Sequence, residues 1–293
     1  MENKRKLRFN LFDVVIILLV LAVLAAALML RNRSTGGAAV GGPETHTMRY
    51  TVEFTETQHE MAESIRIGDG AYRSTDGQYL GTIVDVQTLP HEKVEYSTAA
   101  GRYVSFLCDD SDDLYLTIEN EGYCTGKDIM IGSISAKVGS ELAVKGRGFA
   151  RGGYIYAIDT MGVAVPEDTA AQTGEREAEF VIRFGDSRAF VADNIHVGDR
   201  FYDKTLGAMV GEVQKVEVAP YGETRLKGDG TADYAEKENR YNIFVTLKGR
   251  FVDKADSFYL DGATELKVGG TGKIVSNYLE REGLFYEIVS LGD

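Results

Sequence analysis

The chain has 293 residues, 44% of them hydrophobic, which fits about two globular domains and excludes a disordered polymer. Its formal net charge is −13, and the first 33 residues hold six basic and two acidic side chains, so the remainder is more acidic still. A field of this sign repels phosphate backbones, so we expect no nucleic-acid partner. Glycine is abundant at 33 residues and proline scarce at 4, which favours short strands joined by tight turns.

The first predicted element is a transmembrane helix over residues 9–30. Val14 to Leu30 is an unbroken apolar run of 17 residues, and a helix crosses the hydrocarbon core with about 20. No small-residue cleavage site follows this run, so we interpret it as an uncleaved anchor rather than a signal peptide. Four basic residues precede the run and two follow it. This asymmetry predicts a cytoplasmic tail over 1–8 and an extracytoplasmic remainder at the cell membrane.

After a Gly-rich linker over 31–47, the chain repeats itself at an offset of 130 residues. The repeat predicts two tandem copies of one mainly β domain, over 48–159 and 178–293, joined by a linker over 160–177. We expect each copy to form a small β-barrel or sandwich. The shared positions include Tyr50, Val52, Phe54, Lys137, Val138 and Gly139 in the first copy, and Phe180, Ile182, Phe184, Lys267, Val268 and Gly269 in the second.

The glycine and aspartate positions of the repeat are interpreted as architecture rather than as an active site. The two Gly-Asp pairs predict a turn between strands, and the next glycine in each copy predicts a hairpin turn with positive φ. The glycine inside each following strand predicts a bulge or a close backbone approach. These eight structural positions are Gly68, Asp69, Gly77, Gly81, Gly198, Asp199, Gly207 and Gly211.

The segment that opens the apolar run, Leu7-Arg8-Phe9-Asn10-Leu11-Phe12-Asp13, resembles an uncharacterised family of single-anchor proteins from Firmicutes. In that family an F-N-x-x-D segment begins the transmembrane helix, and Gly-rich β-structure follows outside. The resemblance implies topology and location but no activity, because the family is a domain of unknown function. The hairpin from Ile65 to Val86 also resembles periplasmic adaptor barrels and mammalian-cell-entry domains over a short stretch of each copy.

Residues with catalytic potential are sparse. No nucleophile elbow, P-loop or dinucleotide motif occurs in the sequence. The acidic run Asp109–Asp113 has Leu114 and Asn120 where a calcium loop needs glycine and glutamate, so we interpret it as a solvated turn. We therefore expect a protein that is not an enzyme, with no catalytic residue, cofactor or metal site. The four histidines show no metal-ligand spacing and none recurs in the other copy: His46, His59, His91 and His196.

The two cysteines, Cys108 and Cys124, have no counterparts in the second copy. Outside the membrane a disulfide can persist, and closing a loop of this length stabilises by about 3 kcal/mol. The alternative is a pair of free thiols on neighbouring strands.

These features predict a membrane-anchored, extracytoplasmic scaffold or adaptor of the bacterial cell envelope, without catalytic activity. Its partner would be an envelope protein or another copy of the chain. The segments 93–102 and 223–240 are predicted to be loops that carry recognition. The alternative function is a lipid- or glycan-binding or shuttling module resembling mammalian-cell-entry domains, which requires a ring or channel with an apolar lining.

Overall fold

The computed structural model describes residues 43–166, 171–226, 230–254 and 257–292. The predicted anchor over 9–30, its cytoplasmic tail and most of the linker over 31–47 lie outside the described residues. Within the described ranges, no helix has the length and apolar character needed to cross a membrane. The residues from Thr45 onward form one compact unit.

The first domain, residues 46–159, is an antiparallel sheet of eight strands that closes on itself. Strand β1 pairs with both β4 and β8, so the order β1-β8-β7-β2-β3-β4 returns to β1. Strands β5 and β6 continue the sheet beyond β4 as a hairpin. The elements in chain order are β1 (His46–Thr57), α1 (His59–Ser64), β2 (Gly70–Arg73), β3 (Tyr79–Ser97), β4 (Arg102–Cys124), β5 (Ile129–Ile131), β6 (Ile134–Ala136), β7 (Glu141–Gly146) and β8 (Phe149–Asp159).

The second domain, residues 176–291, has the same topology. Strand β9 pairs with β12 and β16, the order β9-β16-β15-β10-β11-β12 closes, and β13-β14 extend from β12. The prediction of a mainly β protein with two similar sheets in tandem is confirmed, and closure of each sheet corresponds to the barrel form. The elements are β9 (Arg176–Ser187), α2 (Ala189–Asp193), β10 (Arg200–Asp203), β11 (Met209–Leu226), β12 (Ala232–Lys254), β13 (Ser257–Leu260), β14 (Thr264–Leu266), β15 (Thr271–Val275) and β16 (Glu280–Leu291).

Each closed sheet has its own apolar interior, filled by alternate residues of its strands. On β1 and β9 the inward residues are fully buried, and burying each such side chain stabilises the domain by roughly 1.5–3 kcal/mol. A glycine on the last strand makes room for an aromatic ring in both domains. A Cβ at Gly153 would lie 2.7 Å from Cδ1 of Phe54, and one at Gly283 would lie 2.9 Å from Cε1 of Phe184. The inward residues of β1 and β9 are Tyr50, Val52, Phe54, Phe180, Ile182 and Phe184.

The two Gly-Asp pairs lie in turns that follow a short helix, so the prediction of a turn between two strands was wrong. Each turn lies between α1 and β2 or between α2 and β10. The glycines adopt φ of 94° at Gly68 and 93° at Gly198. Ile65 contacts the core and Ile67 is exposed. The alternation of apolar and polar residues in this segment does not distinguish a strand from the end of a helix, because the segment is too short to show either periodicity.

The remaining turn glycines differ between the domains at one position. Gly77 and Gly207 occupy hairpin turns with φ of 74° and 67°. The strand register shifts by one residue beside Gly81 and beside Gly211, which is a bulge in both domains. A Cβ at Gly81, where φ is 143°, would overlap the carbonyl oxygen of Glu119. Gly211 lies outside the positive-φ region, and a Cβ there would stand 2.9 Å from the Lys248 carbonyl oxygen.

The segments 93–102 and 223–240 are largely strand, so the prediction that they are loops was wrong. Strands β3 and β4 run on past a bulge at Pro90 to form an arm that ends at the turn beside Gly101. Strands β11 and β12 form the corresponding arm. The polar composition misled the prediction because a two-stranded ribbon exposed on both faces is as polar as a loop.

Candidate functional site at the interface between the domains

Hydrogen bonds and ion pairs among the described residues join the first domain to the second in three places. The first is an ion pair around Glu53, which is only 3% exposed to solvent. The guanidinium of Arg188 pairs with the Glu53 carboxylate, and the Tyr115 hydroxyl donates to the same oxygen at 2.9 Å. Beside this pair, the rings of Tyr156 and Phe190 lie 4.6 Å apart between centroids. A buried carboxylate without a partner is strongly destabilising, so Arg188 holds the domains together here.

The electrostatics of this ion pair favour its charged form. Burial disfavours the charge of Arg188, but the hydrogen bond and the charge of Glu53 outweigh burial and raise the pKa of the guanidinium. Burial, and then the charge of Glu53, raises the pKa of Tyr115 to about 12. The Tyr115 hydroxyl therefore remains a hydrogen-bond donor to the carboxylate at neutral pH.

The second contact is a strand bridge made by Val138 in the turn between β6 and β7. The Val138 amide donates to the Tyr278 carbonyl at 2.5 Å, and the Glu280 amide donates to the Val138 carbonyl at 2.9 Å. Gly139 adopts φ of 88°, and a Cβ there would lie 2.7 Å from the Glu280 carbonyl oxygen. Glycine is therefore needed at this position for close approach as well as for the positive φ.

Lys137 reinforces the strand bridge from within the interface. Its ammonium group donates to the carbonyls of Ser276 and Lys127 and lies 3.2 Å from the Asp128 carboxylate. Burial lowers the pKa of Lys137, and the charge of Asp128 opposes that shift. All three donors of the ammonium are thus engaged, so this buried lysine is structural.

The third contact joins the two arms. The Tyr103 hydroxyl donates to Glu223 at 2.9 Å and accepts from Arg225 at 2.6 Å. Nearby, Asn239 of the second arm donates to Glu92 of the first at 2.8 Å. The arms are therefore fixed to each other as well as to their own domains.

A cleft of about 1230 Å³ remains between the joined domains, and its lining holds seven basic and five acidic residues. Two of the lysines, Lys204 and Lys273, share the carboxylate of Glu280. Arg281 is half-buried and makes no ion pair with any described residue. Burial, and then the charge of Arg240, lowers the pKa of Arg281. The lining is thus net positive although the chain is acidic.

The eight glycine and aspartate positions predicted from the sequence lie in turns and strands within each domain. They take no part in the three interdomain contacts. Gly207 also borders the cleft, while Gly198 and Asp199 border a smaller depression of about 480 Å³. The described chain shows no three His, Cys, Asp or Glu side chains grouped as metal ligands.

Cys108 and Cys124 are free thiols. Both lie on strand β4, 16 positions apart, which separates them by roughly 50 Å at about 3.3 Å per residue. A disulfide needs Cα atoms within about 7 Å, so this geometry excludes a bridge between them within one chain. The two thiols lie on one strand rather than on the neighbouring strands of the alternative prediction.

Two histidines have acidic partners that sequence spacing did not reveal. Nδ1 of His59 lies 2.5 Å from Asp112, and Nδ1 of His91 lies 2.8 Å from Asp113. These partners come from the acidic run that the sequence suggested was a solvated turn, but the run lies within β4. Their separation of 53 and 22 positions explains why no local motif indicated them.

The interface residues were also missed, although the repeat held a signal for one of them. Glu53 aligns with Arg183 in the second copy, a charge reversal at an outward-facing position of equivalent strands. When equivalent strands of the two copies carry opposite charges at the same position, that position indicates a contact outside the shared fold. Comparison of outward positions, rather than of shared ones, would have identified it.

The fold and these contacts define a class: a two-domain β protein whose tandem closed sheets are fixed to each other. The chain belongs to the family described as Domain of unknown function (DUF4330), whose model matches residues 3–159. The match runs from the predicted cytoplasmic tail to the last residue of β8, and it confirms the resemblance to an uncharacterised domain family. No curated protein and no solved structure matches the chain.

Proposed function

We propose that the protein is a non-catalytic, membrane-anchored scaffold or adaptor of the bacterial cell envelope, with its two β domains outside the cytoplasm. The observation that carries this proposal is the use of unshared residues. Glu53, Tyr103 and Arg188 differ from their counterparts in the other copy, and each holds one domain to the other. The divergence between the copies therefore serves a fixed geometry.

A fixed geometry suits a scaffold because it presents the two domains and their arms at a constant spacing. The three contacts involve a buried ion pair, backbone hydrogen bonds and an arm-to-arm network, so a single thermal fluctuation does not separate the domains. The predicted transmembrane helix over 9–30 and its basic flank support attachment to the membrane and an extracytoplasmic location.

Cysteine labels at two equivalent exposed positions test rigidity and location together. Ile67 and Val197 are 66% and 70% exposed and occupy the same place in the two domains. In the full chain with Cys108→Ser and Cys124→Ser, Ile67→Cys and Val197→Cys would carry spin labels in lipid nanodiscs. We expect a narrow distribution of distances between the labels, and a broad one would contradict a rigid scaffold.

The same cysteine variant tests the location. In intact cells whose outer permeability barrier has been removed, a membrane-impermeant maleimide should label both cysteines. Labelling only after lysis would contradict the extracytoplasmic location. A control cysteine at Asn3→Cys, in the predicted cytoplasmic tail, should react only after lysis.

The cleft favours a second candidate function, the binding of an anionic ligand such as a phosphorylated or carboxylated glycan or a lipid headgroup. Its support is the net positive lining and the half-buried Arg281, which makes no salt bridge with a described residue, although the charge of Asp186 acts on it. Inorganic polyphosphate is a suitable probe for calorimetric titration of the full chain in detergent at low salt. We expect Arg281→Gln to weaken binding about tenfold, and Arg66→Gln, on an exposed turn outside the cleft, to leave it unchanged. Equal losses would contradict a site in the cleft.

A further inference from the structure

The turn that docks the first domain onto the second recurs in the second domain with the same sequence and backbone. Gly139 and Gly269 have φ of 88° and 87°. The Gly139 amide donates to Ile155 and the Gly269 amide to Phe285, both at 2.8 Å. Val138 is fully buried by the interface, whereas its counterpart Val268 is 54% exposed. The second domain thus presents an unoccupied copy of a docking turn whose partner is visible within the same chain.

The surface that receives this turn also recurs, on the first domain. Within the chain, the turn docks on the hairpin of residues 276–280 between β15 and β16. The equivalent hairpin of the first domain joins β7 to β8 at residues 146–150, and its Arg147, Gly148 and Ala150 are exposed. Docking uses backbone groups of the receiving hairpin, so it does not require the same side chains there.

We propose that the second domain of one chain docks onto the first domain of another copy, head to tail, through the Lys267-Val268-Gly269 turn and the 146–150 hairpin. Such a contact is heterologous, because each chain contributes a different surface. It produces either an open row or a closed ring of chains. The inference names the partner of the proposed scaffold, but it depends neither on the membrane location nor on the cleft.

Cross-linking between two single-cysteine chains tests the predicted pairing. Both would be full chains in detergent with Cys108→Ser and Cys124→Ser, one carrying Val268→Cys and the other Ala150→Cys. We expect the mixture to give a cross-linked heterodimer with a short bismaleimide, in excess over homodimers from either chain alone. Val218→Cys replaces Val268→Cys in the matched control, because Val218 is 50% exposed in the same domain. A yield no higher than this control, or homodimers in equal yield, would overturn the proposal.

Sedimentation of the same full chain gives an independent measure. We expect the wild-type chain to associate as its concentration rises, and Val268→Asp to weaken association about tenfold or more. Val218→Asp should associate like the wild type. A wild-type monomer at all concentrations, or equal association of the Val268→Asp variant, would overturn head-to-tail docking. Neither result bears on the maleimide labelling that tests the location of the domains, so failure of the two proposals is distinguishable.

Discussion

The first and second domains share a topology and an interior but differ on their surfaces. Phe54 and Phe184 pack against equivalent glycines inside their barrels. On the outside, Glu53 and Arg183 have opposite charge, and Val138 is covered where Val268 is open. The comparison shows that the positions common to the copies maintain the fold, while the positions that differ in identity or exposure mark contacts beyond it.

The largest effect that would sharpen this comparison is expected at the glycine inside the third strand of each domain. Gly81→Ala forces a Cβ against the Glu119 carbonyl at φ of 143°, and strain with overpacking costs about 4 kcal/mol. Gly211→Ala lacks the positive φ and should cost about 2 kcal/mol from crowding alone. Denaturant unfolding of the full chain, followed by far-UV circular dichroism, measures both free energies of unfolding. Equal losses would show that backbone conformation does not distinguish the two positions.

The next effect concerns the outward charges. Arg188→Gln leaves the Glu53 carboxylate buried without a cation, which costs several kcal/mol in a fully buried pair. The Arg188 side chain is 31% exposed, so we expect about 2 kcal/mol after screening by water. Arg183→Gln, a matched control at the position that aligns with Glu53, should change the free energy of unfolding of the isolated chain by about 0.5 kcal/mol or less. The same denaturant unfolding measures it, and a larger loss for Arg183→Gln would contradict the assignment.

A smaller effect is expected where the arms meet. Tyr103→Phe removes the hydroxyl that bonds Glu223 and Arg225 while keeping the ring, so the free energy of unfolding should fall by about 1 kcal/mol. Tyr96→Phe alters the neighbouring ring of the same arm, whose hydroxyl bonds no described residue. It should have no effect in the same unfolding experiment. A loss for Tyr96→Phe equal to that for Tyr103→Phe would mean that the arm responds to general changes rather than to this contact.

The smallest effect is a pH dependence present in the first domain, since Ala189 replaces His59 in the second. The hydrogen bond to the Asp109 carbonyl, and then the Asp112 carboxylate, raises the pKa of His59 above its usual 6.5. The stabilisation is therefore complete below pH 6.5 and is lost as the pH rises through the raised value. Wild type should exceed His59→Ala in unfolding midpoint at pH 6, and this difference should shrink by pH 9. A constant difference across that range would contradict the linkage.

The interiors could be predicted because each depends on a local pattern. Alternation of Tyr50, Val52 and Phe54 fixes which face is buried, and the repeat shows the same face twice. Closure of the sheets could not be predicted in the same way. A strand pattern gives one buried face, but it does not say that β1 pairs with both β4 and β8.

The interdomain site was less predictable than the fold. Glu53 and Arg188 are 135 positions apart, and each alone is an ordinary surface charge in the sequence. The free thiols and the histidine–aspartate pairs could not be predicted for a similar reason. Their environment depends on which long strand each residue lies on, and a polar ribbon such as the first arm has no period that distinguishes it from a loop.

The length of β4 and β12, 23 residues each, has a mechanical consequence. Each strand belongs to a closed sheet at one end and to an arm at the other, and the pairing register shifts between the two parts, at residues 108–111 of β4 and 237–240 of β12. A force applied along an arm would therefore reach the barrel as shear on many hydrogen bonds at once, which resists far more than peeling them in succession. A sideways force would meet the arm-to-arm network around Tyr103 first. The direction of loading thus decides whether tension on an arm is borne by the whole sheet or by one contact.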